Sequence, residues 1–249
     1  MIRILILINI VATLVSACSG KTVKEQNIAG EQKAIINTNN DGRGPEISIE
    51  LYKGKSFYYP LMAAWIEDEA GNYIQTLFVP ASIATGVFRY GKQENNKWIP
   101  APKRAPQTLP YWSHKRGVIA TDGLYMPEPE NPVSDAYTGA TPVKGFVLNT
   151  RADKELPAVY RILFEINQNW DWNEYWTNNK YPDDENYKMS CQPALVYEAV
   201  IDSRKTISSS AMKPIGHSHY SGKTGELFPD LSTLTTALYI ADSIIVRVR

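Results

Sequence analysis

The sequence contains few cysteines and few histidines, which limits the chemistry that it can support. Among 249 residues there are two cysteines and three histidines. Cys18 closes an apolar N-terminal segment, which leaves Cys191 as the one cysteine in the rest of the chain. An intramolecular disulfide and a cysteine metal cluster are therefore excluded for the mature chain. We expect the fold to depend on its own hydrophobic core.

The sequence also lacks an excess of charge of either sign. Lysine and arginine together number 26, and aspartate and glutamate together number 26. A protein that binds the phosphate backbone of nucleic acids usually carries a net positive charge or a basic cluster. The overall balance therefore favours neither nucleic acid nor an anionic membrane surface as a partner.

No apolar run in the sequence reaches the length of about 20 residues that is needed to cross a bilayer. The N-terminal run at 4–15 is interrupted by Asn9 and Thr13, and its length is typical of a secretory signal peptide. It ends in V-S-A-C at 15–18, which resembles the lipobox of bacterial lipoproteins. The alternative is an ordinary signal peptide with a coincidental cysteine.

The resemblance to lipoproteins implies a signal peptide over residues 1–17 and acyl chains on Cys18, the first residue of the mature protein. Acyl chains hold a protein at a membrane because each buried methylene adds about 0.8 kcal/mol. Ser19, where some lipoproteins have aspartate, implies by the same analogy the outer membrane. We expect the domain to face the periplasm.

Two regions of different character follow the signal peptide. Residues 18–44 are polar and predict a flexible tether, because they cannot bury enough apolar surface to offset the entropy of ordering. From Glu46 onward apolar and polar residues alternate, which is typical of half-buried strands. Residues 45–249 therefore predict a mostly β domain, an antiparallel, immunoglobulin-like β-sandwich with long loops. Strands are predicted at 46–52, 61–68, 73–79, 158–167, 193–202 and 243–249.

The predicted strands at 61–68 and 73–79 form a hairpin, since Gly71 and Asn72 between them accept positive φ. The long stretch 81–142 contains two proline clusters, and a helical turn is predicted within it at 109–116. A loop of this length inside a compact domain is usually functional.

His217 and His219 lie two residues apart, so their side chains share one face of an extended segment. With His114, or with a carboxylate such as Asp230, they would offer ligands for a divalent metal in a hydrolase. The alternative is a polar loop whose imidazoles hydrogen-bond to nearby backbone. The sequence has no third ligand at a fixed spacing, which favours the polar loop.

The segment from Trp170 to Trp176 contains three tryptophans, one tyrosine and two acidic residues. Flat aromatic faces of this kind can stack on a sugar or on the isoalloxazine ring of a flavin. A glycosidase would also need two carboxyl groups about 5 to 9 Å apart across a cleft, which one sequence cannot establish. The alternative is aromatic packing that closes one end of the sandwich.

The segment D-A-Y-T-G-A-T at 135–141 is the most specific motif in the sequence. It resembles the D-x-x-[ST]-G-A-[ST] motif of exported electron-transport proteins, including subunits of sodium-translocating NADH–quinone reductase. In those proteins a flavin transferase attaches FMN through a phosphoester to the last threonine, which implies Thr141 here. Gly139 and Ala140 would leave that hydroxyl accessible, while Asp135 and Thr138 would fix the loop or orient the hydroxyl. The alternative is a tight loop before a strand, with Gly139 supplying the turn.

Several motifs spread over the domain resemble an exported bacterial family known as domain of unknown function 2271. Members often accompany PepSY-type membrane proteins, which are suspected of redox roles. The resemblance implies an exported, β-rich domain and supplies no catalytic residues. The motifs are A-W-I-E-D at 64–68, G-N-Y-I-Q-T-L at 71–77, L-P-Y-W at 109–112, the segment 135–145, F-E-I-N at 164–167 and G-H-S-H at 216–219.

Together these features predict a lipid-anchored protein of the cell envelope that carries electrons on FMN at Thr141. A flavin transferase would load the threonine, and a PepSY-type membrane protein would reduce the flavin. The rival hypothesis is a non-redox binding or accessory module that uses the loops 170–176 and 217–220 against a small ligand or a partner. Neither hypothesis assigns catalytic residues to the chain.

Overall fold

Two β-sheets of five strands each form the centre of the computed structural model, which describes residues 33–133, 141–205 and 209–249. Sheet A contains, in spatial order, β1 (Ala34–Asn37), β7 (Phe146–Arg151), β2 (Glu46–Lys53), β12 (Ala241–Val248) and β10 (Ser210–Ala211). Sheet B contains β11 (Lys213–His217), β9 (Leu195–Asp202), β8 (Val159–Asn167), β3 (Leu61–Asp68) and β4 (Tyr73–Phe78). Strand β1 runs parallel to β7, and the other neighbouring strands run antiparallel.

The main core lies between the two sheets because each strand turns alternate residues toward the opposite sheet. In β2 the inward residues are Ile47, Ile49 and Leu51, and all three are buried. The rings of Phe78 and Phe146, which come from opposite sheets, have centroids 5.6 Å apart. The predicted mostly antiparallel β-sandwich is confirmed. The immunoglobulin-like strand order stays a prediction.

The predicted hairpin at 61–79 is present as β3 and β4. Gly71 in its turn has a φ of 87°, a conformation that glycine adopts without steric cost. The Asp68 carboxylate accepts the backbone N–H of Asn72 at 2.8 Å, which closes the turn as an Asx-type bond does. The turn chemistry and the antiparallel pairing of β3 with β4 agree, and the predicted hairpin is confirmed.

The structure corrects the predicted tether over residues 18–44. From Ala34 the chain is already a strand, and Ile36 in that strand is buried in the main core. Strand β1 has only four residues, of which Ile36 alone is buried. Its backbone N–H and C=O groups hydrogen-bond to β7 and therefore do not need water as a partner. Residues 1–32, which include the predicted signal peptide, Cys18 and the first part of the tether, lie outside the described residues.

The predicted loop 81–142 contains regular structure in its described part. It contains the short helix α1 (Ala81–Thr85), a hairpin of β5 (Val87–Glu94) and β6 (Lys97–Pro102), and the helix α2 (Pro110–Arg116). Helix α2 begins with Pro110, whose fixed φ suits the first turn, and it confirms the predicted helical turn at 109–116. It ends at Gly117, whose φ of 69° gives the left-handed cap.

The outer face of sheet B is covered by α1, α2 and the loops around them, which we call the outer layer. Trp112 of α2 packs in a second hydrophobic cluster with Trp65 of β3 and Leu163 of β8. The Trp112 indole also donates to the Thr76 hydroxyl at 3.0 Å, so its N–H is satisfied although the ring is fully buried. Within residues 33–133, 141–205 and 209–249, no helix is long and apolar enough to cross a membrane.

Candidate functional site

The two loops predicted to bind a ligand lie side by side in the structure. The loop 170–176 belongs to the connection between β8 and β9, and the segment 217–220 leaves β11, the neighbour of β9. The ring of Trp176 has its centroid 6.1 Å from that of His217 and 6.1 Å from that of Tyr220. We call the group of rings that meets here the aromatic cluster. Its members are Trp176, Tyr181, Tyr187, His217 and Tyr220.

Part of the aromatic cluster belongs to the core. Trp176, Tyr187 and His217 are buried, and the Trp176 indole donates to the Thr233 hydroxyl at 3.1 Å. Tyr187 lies in the helix α3 (Glu185–Ser190), whose N-cap residue accepts the Tyr187 backbone N–H at 3.0 Å. These side chains close one end of the sandwich, as the packing alternative predicts.

Other aromatic residues of the same loop remain on the surface. Trp170, Trp172 and Tyr175 are all exposed. The Lys180 ammonium lies 3.1 Å from the centroid of the Tyr175 ring, a cation–π contact that orients the ring. The segment 170–176 is therefore divided, with its last tryptophan in the core and its first two available to a ligand.

A shallow cleft of about 540 Å³ opens beside the aromatic cluster. Its wall includes Tyr181 and Tyr220, whose rings stack with centroids 4.2 Å apart and an interplanar angle of 2°. Lys223 forms an ion pair with Asp184 at 3.1 Å. Burial raises the pKa of Asp184, but the Tyr187 N–H and the Lys223 ammonium together hold that pKa below its usual value. The cleft thus offers aromatic rings, a cation and a charged carboxylate to a polar ligand.

The histidines of the predicted metal site have other partners. The His217 ring stacks on Phe228 with centroids 5.4 Å apart, and its Nδ1 lies 2.8 Å from the Ser218 carbonyl oxygen. His219 Nδ1 accepts the backbone N–H of Ser221 at 3.1 Å. Burial lowers the pKa of both rings. This is the arrangement of the polar-loop alternative.

His114 does not join the other two histidines at a common ligand site. Its Nδ1 lies 2.8 Å from the Pro110 carbonyl oxygen, and its ring stacks on Tyr125 with centroids 4.3 Å apart. Among the residues that the structure describes, no group of three or more His, Cys, Asp or Glu side chains comes together as metal ligands would.

Thr141 is the one residue of the predicted flavin site that falls within the described chain. Asp135, Thr138, Gly139 and Ala140 lie outside the described residues. Thr141 is half-buried, and the residue that follows it is fully buried. Its hydroxyl therefore belongs to a residue at the boundary between the protein surface and the packed interior.

The chain is fixed on both sides of the predicted flavin motif. Before the motif, Val133 is buried in the outer layer and its N–H donates to the Ala84 carbonyl at 2.8 Å. After it, Pro142 is buried, and the Gly145 carbonyl accepts the N–H of Ala34 at 3.0 Å. The motif therefore joins two anchored points, one at the outer layer and one at sheet A.

A cation and an aromatic ring lie close to the second of these points. A Cβ built on Gly145 would lie 3.7 Å from the Lys33 side chain. The Lys33 ammonium lies 2.9 Å from the centroid of the Tyr52 ring and 2.6 Å from Glu50 Oε1. The start of β7 is thus bordered by a lysine, a tyrosine and a carboxylate on the outer face of sheet A.

Two buried carboxylates under α2 were not predicted as site residues. Glu165 accepts the backbone N–H groups of Tyr111 at 3.2 Å and Trp112 at 2.8 Å. Burial raises the pKa of Glu165 to about 8, against the opposing effect of those two donors. Glu67 lies 3.6 Å from the Lys115 ammonium and 3.4 Å from the Arg161 guanidinium. The sequence does contain a signal for such a residue, namely an acidic side chain within a mainly apolar strand. A carboxylate in that position is expected to need a specific partner.

Cys191 is placed where its thiol has little reactivity. The residue is fully buried at the end of α3. Burial, with a smaller contribution from the Asp171 carboxylate, raises the pKa of the thiol to about 11. Since the thiolate is the reactive form, Cys191 acts as a small apolar side chain.

Comparisons with protein-family models, with curated proteins and with solved structures found no match to this chain. The functional argument therefore depends on the residues and geometry described above.

Proposed function

We propose that this chain is a lipid-anchored, exported electron carrier that holds FMN in phosphoester linkage on Thr141. The observation that carries the proposal is the D-A-Y-T-G-A-T motif at 135–141, whose last residue is half-buried between anchored points of the chain. Attachment replaces the Oγ–H bond of Thr141 with an Oγ–P bond. The proton and the nucleotide leaving group of a flavin dinucleotide donor are released. Once bound, FMN supplies one- or two-electron transfer.

Two properties of the surroundings of Thr141 support this proposal. Val133 and Pro142 are buried on either side of the motif. A flavin transferase could therefore bind the motif while the residues that flank it stay packed in the domain. Near the start of β7, Lys33 and Tyr52 place a lysine, which is paired with Glu50, beside an aromatic ring. These are the residue types that a flavin phosphate and an isoalloxazine ring need.

The proposal includes a location and two partners. Acyl chains on Cys18 hold the domain at the outer membrane on its periplasmic side, and a PepSY-type membrane protein supplies the electrons. A covalent flavin suits an exported protein, because a free cofactor would diffuse away. A Cys18→Ser variant is expected to move from the membrane fraction to the soluble fraction, whereas Ser19→Ala stays with the membrane. If Cys18→Ser remains at the membrane after a wash in about 0.5 M salt, which screens contacts of exposed charges, the anchor is assigned to the wrong residue.

The attachment itself is tested by intact-mass measurement after co-production with a flavin transferase. The protein is expected to gain the mass of one FMN less one water and to absorb visible light. Thr141→Ser keeps the modification because it keeps a hydroxyl, and Thr141→Ala loses it. Thr177→Ala is the matched control, since it removes the hydroxyl of an exposed threonine outside the motif and the adduct should remain on Thr141. An unmodified Thr141 in the unaltered protein would end the proposal.

A second candidate function is a non-redox binding module, and one observation favours it. The structure brings the loops 170–176 and 217–220 together through the contacts of Trp176 with His217 and Tyr220. Beside them, the exposed rings and the cleft of about 540 Å³ present flat apolar faces next to charged groups. A ligand with a flat face and a polar rim, such as a sugar, would suit this combination.

The two candidate functions give opposite results in one comparison. The binding module predicts colourless protein, normal behaviour of Thr141→Ala, and tryptophan fluorescence that changes when an oligosaccharide is added. Trp172→Ala should weaken that binding, while Trp98→Ala, at an equally exposed tryptophan in the β5–β6 hairpin, should not. Coloured protein without a response to oligosaccharides would exclude the binding module.

A further inference from the structure

The hairpin of β5 and β6 projects from the outer layer. Its base is held by Phe88, which packs against the second hydrophobic cluster. From Arg89 to Trp98 every residue is exposed except Gly91, which is half-buried. Asn95 and Asn96 form the turn with φ of 48° and 60°, as in a tight type I′ connection. The outer half of the hairpin therefore contributes little to the core.

Two aromatic rings stand on this exposed part. Tyr90 and Trp98 are 59% and 55% exposed. Their ring centroids lie 6.4 Å apart with an interplanar angle of 86°, a cross-strand edge-to-face pair of the kind that stabilises hairpins. More than half of the surface of each ring is nevertheless exposed to water. Tyrosine and tryptophan are enriched at the boundary between a membrane and water.

The same hairpin has an excess of positive charge, although the whole chain is balanced. Between residues 87 and 102 there are three cations, Arg89, Lys92 and Lys97, and one carboxylate. The carboxylate, Glu94, lies 3.5 Å from the Lys92 ammonium, so it balances at most one of the three cations.

We infer that the β5–β6 hairpin docks on the surface of an anionic phospholipid bilayer. The cations fit the negative headgroups, and the rings of Tyr90 and Trp98 fit the boundary between headgroups and acyl chains. A protein partner would provide specific polar contacts, but the exposed part of the hairpin offers mainly charge and amphipathic rings. The inference depends on the hairpin alone and does not require the flavin on Thr141 or the acyl chains on Cys18.

The first test locates Trp98 relative to the bilayer. The full-length protein purified from membranes is reconstituted into vesicles that contain phosphatidylglycerol with brominated acyl chains, which quench nearby tryptophans. We expect quenching in the unaltered protein and loss of most of it in Trp98→Phe. The matched control is Trp172→Phe, because Trp172 is 56% exposed and its removal should leave the quenching in place. Equal quenching in Trp98→Phe and in the unaltered protein would overturn the inference.

The second test concerns the charge. Each lysine near an anionic membrane changes the binding constant by about fivefold, so Lys92→Gln/Lys97→Gln should reduce the affinity of the hairpin by roughly twentyfold to thirtyfold. Raising the salt from about 0.05 M to about 0.5 M should also reduce the quenching, because added ions screen these contacts. Equal quenching in vesicles of phosphatidylcholine alone, or no response to salt, would contradict docking on an anionic surface.

Discussion

The outer faces of the two sheets place the same type of residue in opposite environments. On sheet A, the Lys33 ammonium at 2.6 Å, together with Arg247 at 2.7 Å, lowers the pKa of Glu50 to about 2. On sheet B, burial raises the pKa of Glu165 to about 8. The residues of β2 that face outward are only partly buried, whereas α2 covers the outward residues of β8.

The comparison shows that burial and nearby cations act in opposite directions on the pKa of an outward carboxylate. A carboxylate that faces water keeps its hydration and gains from nearby cations, so its charged form is favoured. A carboxylate under a packed helix loses its hydration, and two backbone N–H donors do not fully replace it. The outer layer of sheet B therefore makes the stability of the protein depend on pH near neutrality, which the open face of sheet A does not.

The largest expected effect comes from removing part of the cover. Trp112→Ala deletes a fully buried ring and its hydrogen bond to Thr76, so we expect the free energy of unfolding to fall by about 3–5 kcal/mol. Trp172→Ala, at an exposed tryptophan, should change it by less than about 0.5 kcal/mol. Denaturant unfolding of both variants gives the comparison. A loss of less than about 1 kcal/mol in Trp112→Ala would show that the outer layer is not packed as described.

The next effect is the pH dependence that Glu165 imposes. The folded state keeps the Glu165 proton up to a pH of about 8, while the unfolded chain loses it near its ordinary pKa of 4.5. Between these values the folded state binds more protons, so the free energy of unfolding falls as pH rises, by at most about 1.4 kcal/mol per pH unit. The measurement is the free energy of unfolding of the unaltered protein and of Glu165→Gln, compared from about pH 5 to about pH 9. A difference that does not change with pH would contradict the raised pKa.

A smaller effect distinguishes the paired carboxylates of the two faces. Glu67 is buried with Arg161 and Lys115 beside it, so Glu67→Gln should lower the free energy of unfolding by about 1–3 kcal/mol. Glu50→Gln on the open face should lower it by less than about 1 kcal/mol. Both variants are measured by denaturant unfolding at neutral pH. Equal losses of unfolding free energy in the two variants would mean that burial under the outer layer does not change the contribution of a paired carboxylate.

The smallest effect is the response of these variants to salt. The Glu50 side chain is partly exposed, so about 1 M salt should remove most of the small loss caused by Glu50→Gln. The loss caused by Glu67→Gln should change less, because the Glu67 side chain is fully buried. Repeating the unfolding curves in salt checks this. A larger change for Glu67→Gln than for Glu50→Gln would contradict the difference in exposure.

The sequence predicts the sandwich well where a strand alternates clearly, as β2 does. Ile47, Ile49 and Leu51 all face the core as the period of two requires. Strand β6 is harder to predict, since Pro100 and Pro102 disfavour a strand and are tolerated here because its partner on one side is β5. Strand β1 is harder still, because four residues are too few to show a period and are held by pairing with a strand that lies more than a hundred residues later.

The candidate site was predicted less completely than the fold. The sequence identifies the aromatic loops, but it does not separate the buried Trp176 from the exposed Trp172, since that depends on how the loops meet. Nor does it show that Glu165 lies under the N–H groups at the start of α2. These contacts join segments that are distant in sequence, and local patterns contain no information about them.

The direction of strand β1 decides at which end of sheet A the described chain begins. Because β1 and β7 run in parallel, with Ala34 paired to Phe146, both strands begin at the same end of the sheet. Thr141 lies five residues before β7 begins. The hydrogen bond from the Ala34 N–H to the Gly145 carbonyl therefore ties the first strand to the segment that follows Thr141, so a change that loosens β1 would also loosen that segment.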